Sequence, residues 1–170
     1  MSLSPWIEEP ISRKHNREAF DCGEPELNSY LLRHARKNHD QGGSKTWIAT
    51  PDGETVYGYY TLSPAHVSYH RVPEVLTRNS GRYDFPAFRL GRLAVDLTCQ
   101  GEGLGGTLLA ASARRCIRAA SEVGGTALLI DAKNERVAKW YECFGAIPLL
   151  DTSLSLLLPL AGIANSLDDR

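Results

Sequence analysis

No apolar run in this 170-residue chain approaches the length needed to cross a bilayer; the longest, around Leu156–Leu158, is far too short. Nor does a signal-peptide pattern open it, because Trp6, Glu8 and Glu9 stand where an apolar segment would lie. Cysteine is sparse: Cys22, Cys99, Cys116 and Cys143 form no Cys-x-x-Cys pair and no regular spacing. That excludes a disulfide framework and a zinc ribbon, and fits a reducing compartment such as the cytoplasm. Cys99 is either a reactive thiol or a small buried hydrophobe. The five histidines all fall in the first half, and only His66 and His70 have a spacing that suggests a metal. Pro64 and the Val67/Tyr69 alternation put that pair on extended chain, where the two rings share no helical face, so no metal is expected. An excess of one charge is also missing: the formal net charge is −1, which excludes a globally basic nucleic-acid binder.

The distribution of charge says more than its sum. Arg33, Arg36, Lys37 and Lys45 face only Asp40 over residues 30–45, and Arg71, Arg78, Arg82, Arg89 and Arg92 face Glu74 and Asp84 over residues 71–92. The N-terminal half therefore offers either a positive face or a set of solvated surface charges.

Length and composition suit one domain with one substantial core. "FDCGEPELNSYLLRHARKN" reads as a turn and a helix that Gly42-Gly43 ends, with Leu27, Tyr30, Leu31, His34 and Asn38 in helical period. "KTWIAT" and "VYGYYTLSPAHVSYH" read as an antiparallel hairpin about the "PDGE" turn. A long arginine-bearing loop over residues 71–88, with a helical turn near Glu74–Leu76, leads to the strand "FRLGRLAVD". Next comes a helix with Leu109, Ala113, Cys116, Ala120 and Val123 on one stripe, ended by Gly124-Gly125. "TALLIDA" is a buried-type strand, "NERVAKWYECFG" a short helix capped near Asn134, "LSLLLPL" a last strand and "NSLDDR" a loose tail. The order predicts a mixed α/β or α+β domain spanning 1–170, with its core over about residues 6–160.

Between the strand and the long helix lies "QGEGLGG", four glycines in six residues from Gly101 to Gly106. Strand, glycine loop and helix is a recurrent phosphate cradle, because the first helical turn has unpaired N–H groups and glycine lets the backbone close on an anion. A P-loop is excluded, since Thr107-Leu108 stand where Lys-Ser/Thr is required. The dinucleotide fingerprint is literally present as Gly101, Gly103 and Gly106, with Asp131 as the ribose acid. Against it, Asp96–Gln100 separate strand from loop, and too little chain follows Asp131 for a dinucleotide half-sheet.

Gln100-Gly101-Glu102-Gly103-Leu104-Gly105 matches the pattern [QR]-x-x-G-x-[GA] at every specified position, and here the chain resembles the GNAT acetyltransferase superfamily. "RLAVD" looks like that family's central strand, and "NERVAKWYECFGA" like its Asn–Ala–Tyr helix and following turn. Glu102 stands where relatives often carry a basic residue, and Ala146 replaces a phenylalanine after Gly145. The resemblance runs from about Phe20 to Leu160 and implies a largely antiparallel sheet, splayed at its fourth strand and flanked by helices. It implies acetyl-CoA as co-substrate, held by Leu93, Ala94, Val95, Gln100, Gly101, Gly103, Leu104, Gly105, Gly106, Asn134 and Ala138. Tyr141 is its implied catalytic acid, sharing a helical face with Asn134 and Ala138, while Val137, Trp140 and Phe144 take the adjacent face toward the core. No general base stands out.

"FDCGEPELNSYLLRHARKN", "SKTWIA" and "FRLGRLAVD" together resemble the GNAT branch of bacterial toxins that acetylate the amino acid on charged tRNA. That resemblance implies an aminoacyl-tRNA substrate touched by Arg33, Arg36, Lys37, Arg78, Arg82 and Arg92, a homodimer, and a ribbon-helix-helix antitoxin partner. A small-molecule or peptide N-acetyltransferase, a nicotinamide-dependent oxidoreductase and a CoA-holding module without chemistry stay open as alternatives.

Overall fold

The computed structural model describes residues 2–163, so the tail expected over residues 165–170 lies outside the described residues. The elements are β1 (Ile7–Pro10), α1 (Pro25–Arg33), α2 (Ala35–Gln41), β2 (Lys45–Thr50), β3 (Gly58–Val67), α3 (Glu74–Thr77), β4 (Phe85–Val95), α4 (Leu104–Val123), β5 (Ala127–Asp131), α5 (Glu135–Glu142), β6 (Ile147–Leu149) and β7 (Thr152–Pro159). Seven strands hydrogen-bond in the order β1-β2-β3-β4-β5-β7-β6; β1 with β2, β2 with β3, β5 with β7 and β7 with β6 run antiparallel, and β4 with β5 runs parallel. This is the mixed, largely antiparallel sheet with helices that the sequence predicts. Among the described residues the chain divides into two compact units, 2–63 with 91–112, and 64–90 with 113–163.

The first unit builds its core from α1, α2, β2, β3 and the far half of β4: Phe20, Tyr30, Leu31, Ala35, Ile48, Tyr59 and Ala94 are all buried together. Pro25 opens α1, where its missing N–H costs nothing. The expected single helix is two, broken at His34, whose φ of −123° leaves helical space although neither glycine nor proline is there. Arg17 compensates at the break by donating to the carbonyl of Leu32 at 2.9 Å. Gly42 ends α2 at φ +80°, with Gly43 N–H donating to Asn38 and Gly42 N–H to His39, the hydrogen-bond pair of a Schellman close. The "PDGE" turn is fastened by Asp52, which accepts from the N–H groups of Glu54 and Thr55 and from the Thr55 hydroxyl.

The second unit packs Val67, Val72, Phe85, Ala87, Ala127, Leu129, Leu149 and Leu157 into its own core. β5 is buried at four of five positions, as a continuous apolar strand should be. Two expectations need correction. Val123 is 79% exposed, so the apolar stripe of α4 ends before its last turn. β6 was not anticipated: three residues containing Pro148 carry too little pattern to be read as a strand, and its ladder to β7 shifts register at Pro148/Leu149.

Candidate active site

β4 pairs with β5 from Ala87 to Leu90 and then runs on as strand through Gly91–Val95. Ala94 is buried in the first unit's core, and Leu93 and Val95 are half-buried. β3 crosses this segment closely: a Cβ on Gly58 would stand 2.8 Å from the Ala94 carbonyl oxygen and 2.9 Å from Leu108 Cδ1, so only glycine fits.

Asp96–Gln100, which set this loop apart from a dinucleotide fingerprint, prove to be its fastening. The Asp96 carboxylate accepts from Thr98 N–H at 3.0 Å, the Thr98 hydroxyl at 2.7 Å and Asp21 N–H at 3.0 Å. Leu97 N–H donates to the Asp21 carbonyl, and Asp21 Oδ1 accepts from Gly23 N–H and the Asn28 amide. Those hydrogen bonds hold the Asp21 carboxyl below the usual carboxylate range. Gln100 completes the lacing by donating to the carbonyls of Val95 and Cys22. Nothing in the local sequence announces the three contacts that tie Asp96, Leu97 and Gln100 to Asp21 and Cys22, since they join segments some 75 residues apart.

Beyond Gln100 the loop turns at Gly101 (φ +83°) and Gly103 (φ +79°), and a Cβ at either would meet nothing within 4 Å. The glycines therefore serve backbone conformation and leave open space above it. Leu104 starts α4, with Gly105 and Gly106 in its first turn. Thr107 is the first to bond back, through N–H and hydroxyl to the Gly103 carbonyl. The amides of Gly103–Gly106 thus lack intrahelical partners at the positive end of a twenty-residue helix, a site built for an anion such as a pyrophosphate. Glu102 is exposed.

The same unit holds an open, shallow pocket of about 380 Å³ lined by Pro25, Glu26, Ser29, Tyr30, His34 and Arg92. The Arg92 guanidinium lies over the Tyr30 ring, 3.4 Å from its centroid. Tyr30 is buried and pinned at its hydroxyl by Asn38 and Ser44, each at 3.1 Å. Of the other basic residues expected to meet substrate, Arg33 and Lys37 are exposed on α1 and α2 and Arg36 is half-buried. Arg78 and Arg82 are exposed in the second unit.

In that second unit, Asn134 caps α5 by accepting from Val137 N–H at 2.9 Å, which commits its amide oxygen to the helix. Ala138 and Tyr141 are buried on the inner face, and burial pushes the Tyr141 phenol well above its ordinary value. The Tyr141 hydroxyl has no hydrogen-bond partner among the described residues. Trp140 and Phe144, expected to pack inward, instead stack edge-to-face on each other at 4.8 Å with 37% and 44% of their surface exposed. Asp131 is paired with Arg89 and accepts from the Ser155 hydroxyl at 2.9 Å. Cys99 is buried beside the loop with its thiol pushed up by desolvation, so it is the small hydrophobe and not a nucleophile. Among the described residues no group of three potential metal ligands occurs, and no helix is long and apolar enough to cross a membrane.

No family model matches the chain. A tRNA-acetylating toxin of Mycobacterium tuberculosis is 37% identical over 134 residues, covering 79% of this chain and 80% of that one. Among solved structures, AtaT complexed with acetyl-methionyl-tRNAfMet superposes with a TM-score of 0.89 at 28% identity, covering 96% of this chain and 99% of that one. A tyrosine-to-phenylalanine mutant of AtaT, bound to the C-terminus of the antitoxin AtaR and to acetyl-CoA, gives 0.81 at 28% identity over 96% and 98% of the two chains.

Proposed function

Because the chain belongs to the GNAT-fold family of tRNA-acetylating toxins, we propose that it transfers the acetyl group of acetyl-CoA to the α-amine of an aminoacyl-tRNA. The observation that carries this reading is the loop at the mouth of α4, open over Gly101 and Gly103 and locked from below by Gln100. Such a loop suits a diphosphate: four amides without helical partners, with open space over Gly101 and Gly103. Gly101, Gly103, Leu104, Gly105 and Gly106 would hold it, with Gln100 positioning the loop. The main chain of Leu93–Val95, on strand beyond the β5 ladder, would take the pantetheine arm and present an N–H to the thioester oxygen.

The amine attacks the thioester carbonyl directly, so the chain's tasks are alignment, oxyanion stabilisation and delivery of a proton to sulfur. We assign the last to Tyr141. Its phenol is protonated throughout the physiological range, and its hydroxyl is uncommitted. The attacking nitrogen loses one proton as the amide forms and the departing thiolate gains one, so the exchange closes without any further reactant. A raised phenol is a weak acid, so it serves first as a hydrogen-bond donor and gives up its proton only as sulfur takes full charge. An α-amine, with a reference value near 8, is neutral in an appreciable fraction (about a fifth) at physiological pH, so it needs less help from a base than a lysine would. Asn134 and Ala138 shape the helix that carries Tyr141.

Arg33, Arg36, Lys37, Arg78, Arg82 and Arg92 are proposed to meet tRNA phosphates. AtaT binds an antitoxin, and the same is proposed here, with a ribbon-helix-helix antitoxin, a homodimeric toxin, a single catalytic domain and a cytoplasmic location. Incubation with radiolabelled acetyl-CoA and total charged tRNA tests the reading. Label is expected in the RNA fraction, and label found only on small amines or peptides would replace it.

A further inference from the structure

The open pocket between α1 and β4 lies beside the strand proposed to carry the thioester, and no role above gives it an occupant. We infer that it seats the terminal nucleoside of the charged tRNA, with the base stacked on the Arg92 guanidinium. The inference rests on the aminoacyl-tRNA reading and names where its last nucleotide goes.

Three observations carry it. First, Arg92 is half-buried and has no ion-pair partner among the described residues; its one marked contact is the Tyr30 ring at 3.4 Å. A guanidinium has two faces, and a plane held on tyrosine by one face is a stacking platform on the other. Second, that platform is pre-set: Tyr30 is buried, and Asn38 and Ser44 anchor its hydroxyl, so little order is left to impose on binding. Third, the remaining lining sets three polar side chains beside the apolar Pro25. The Glu26 carboxylate offers acceptors, Ser29 donates or accepts, and the His34 imidazole stands 6.1 Å from the Tyr30 ring. An aliphatic amino-acid side chain would leave those polar groups without partners. A flat heterocycle with an exocyclic amine and ring acceptors satisfies all of them, the amine toward Glu26. Charged tRNA ends in unpaired nucleotides whose bases are free to be splayed onto such a surface.

The test uses a 5′-fluorescein CCA trinucleotide and its counterpart lacking the terminal base, bound to wild type and to Arg92→Lys, which keeps the charge and removes the plane. The intact trinucleotide is expected to bind Arg92→Lys at least tenfold more weakly. The counterpart should bind both proteins equally, and as weakly as CCA binds the variant. An unchanged melting temperature shows that the variant is folded. If the substitution weakens both oligonucleotides alike, or if wild type does not discriminate them, the seat is overturned. The two readings fail separately. Base-dependent CCA binding without label entering charged tRNA sinks the acetylation and leaves the seat. Label entering RNA with the KM for charged tRNA unchanged in Arg92→Lys sinks the seat alone.

Discussion

Gln100 turns back on the strand it has just left, its side-chain amide donating to the carbonyl of Val95 at 2.9 Å and reaching the carbonyl of Cys22 at 3.2 Å. A glutamine does here what neither glutamate nor alanine does: it offers two donors to two acceptors. Gln100→Ala is expected to cost about 1 kcal/mol of stability for its hydrogen bonds. Gln100→Glu should cost more, because it sets a carboxylate against two carbonyl oxygens. Both should weaken acetyl-CoA binding more than they lower the melting temperature, as isothermal calorimetry beside thermal melts will show.

Two glycines separate folding from binding. Gly103→Ala forces a Cβ into φ +79° with open space around it, so only the backbone resists, at a cost of about 1 kcal/mol. It also places a methyl group over the amides proposed to take pyrophosphate, and acetyl-CoA affinity should fall at least tenfold. Gly58→Ala drives a Cβ to 2.8 Å from the Ala94 carbonyl, where backbone must move. That variant should lose several degrees of melting temperature first. The reverse ranking in calorimetry and melts would remove the loop from the binding site.

Thiol accessibility follows burial. Cys22, Cys99 and Cys116 are buried and Cys143 is exposed. Desolvation pushes all three buried thiols up, Cys116 to about 12, which removes thiolate at neutral pH. A disulfide-exchange reagent should therefore titrate one thiol in the native protein and four after denaturation. Rapid reaction of Cys99 would reopen it as a nucleophile.

What the sequence made legible was local. The glycine turns, the Asn134 cap and the Gly42 stop each follow from φ demands or cap chemistry within a few residues, and each is where it was expected. What it hid was contact at long range. Asp21 with Asp96, and Tyr30 with Arg92, are brought together only by folding of the first unit. The face carrying Trp140 and Phe144 was misjudged because helical period separates two faces without saying which one is covered. The same reason explains Val123, which continues the period of α4 past the point where anything packs on it.

Binding of charged tRNA should be salt-dependent, and the slope counts phosphate contacts. Arg33, Arg36 and Lys37 sit on neighbouring turns of α1 and α2, and a single Gln at each should reduce the slope of log affinity against log salt by about 0.7 to 0.9. Arg78→Gln and Arg82→Gln test the second unit in the same way. A slope unchanged in all five variants would mean that these residues are solvated surface charges, the alternative their sequence left open.

Tyr141→Phe isolates one oxygen atom. Since the Tyr141 hydroxyl has no partner among the described residues, its removal should leave the melting temperature almost unchanged. The ring still fills its buried site, so acetyl-CoA affinity should hold while kcat falls by about 10² to 10⁴, the range for loss of a positioned acid. The pH profile gives a second and independent check. Burial raises the phenol, so the protonated form persists at and above the pH where an ordinary tyrosine loses its proton, near 10. Wild-type kcat/KM should therefore rise with the deprotonation of the acceptor amine near pH 8 and show no falling limb below about 10. A falling limb at lower pH that persists in Tyr141→Phe would assign the acid to another group, and one that vanishes in that variant would mean the phenol is ionising early, against the effect of its burial.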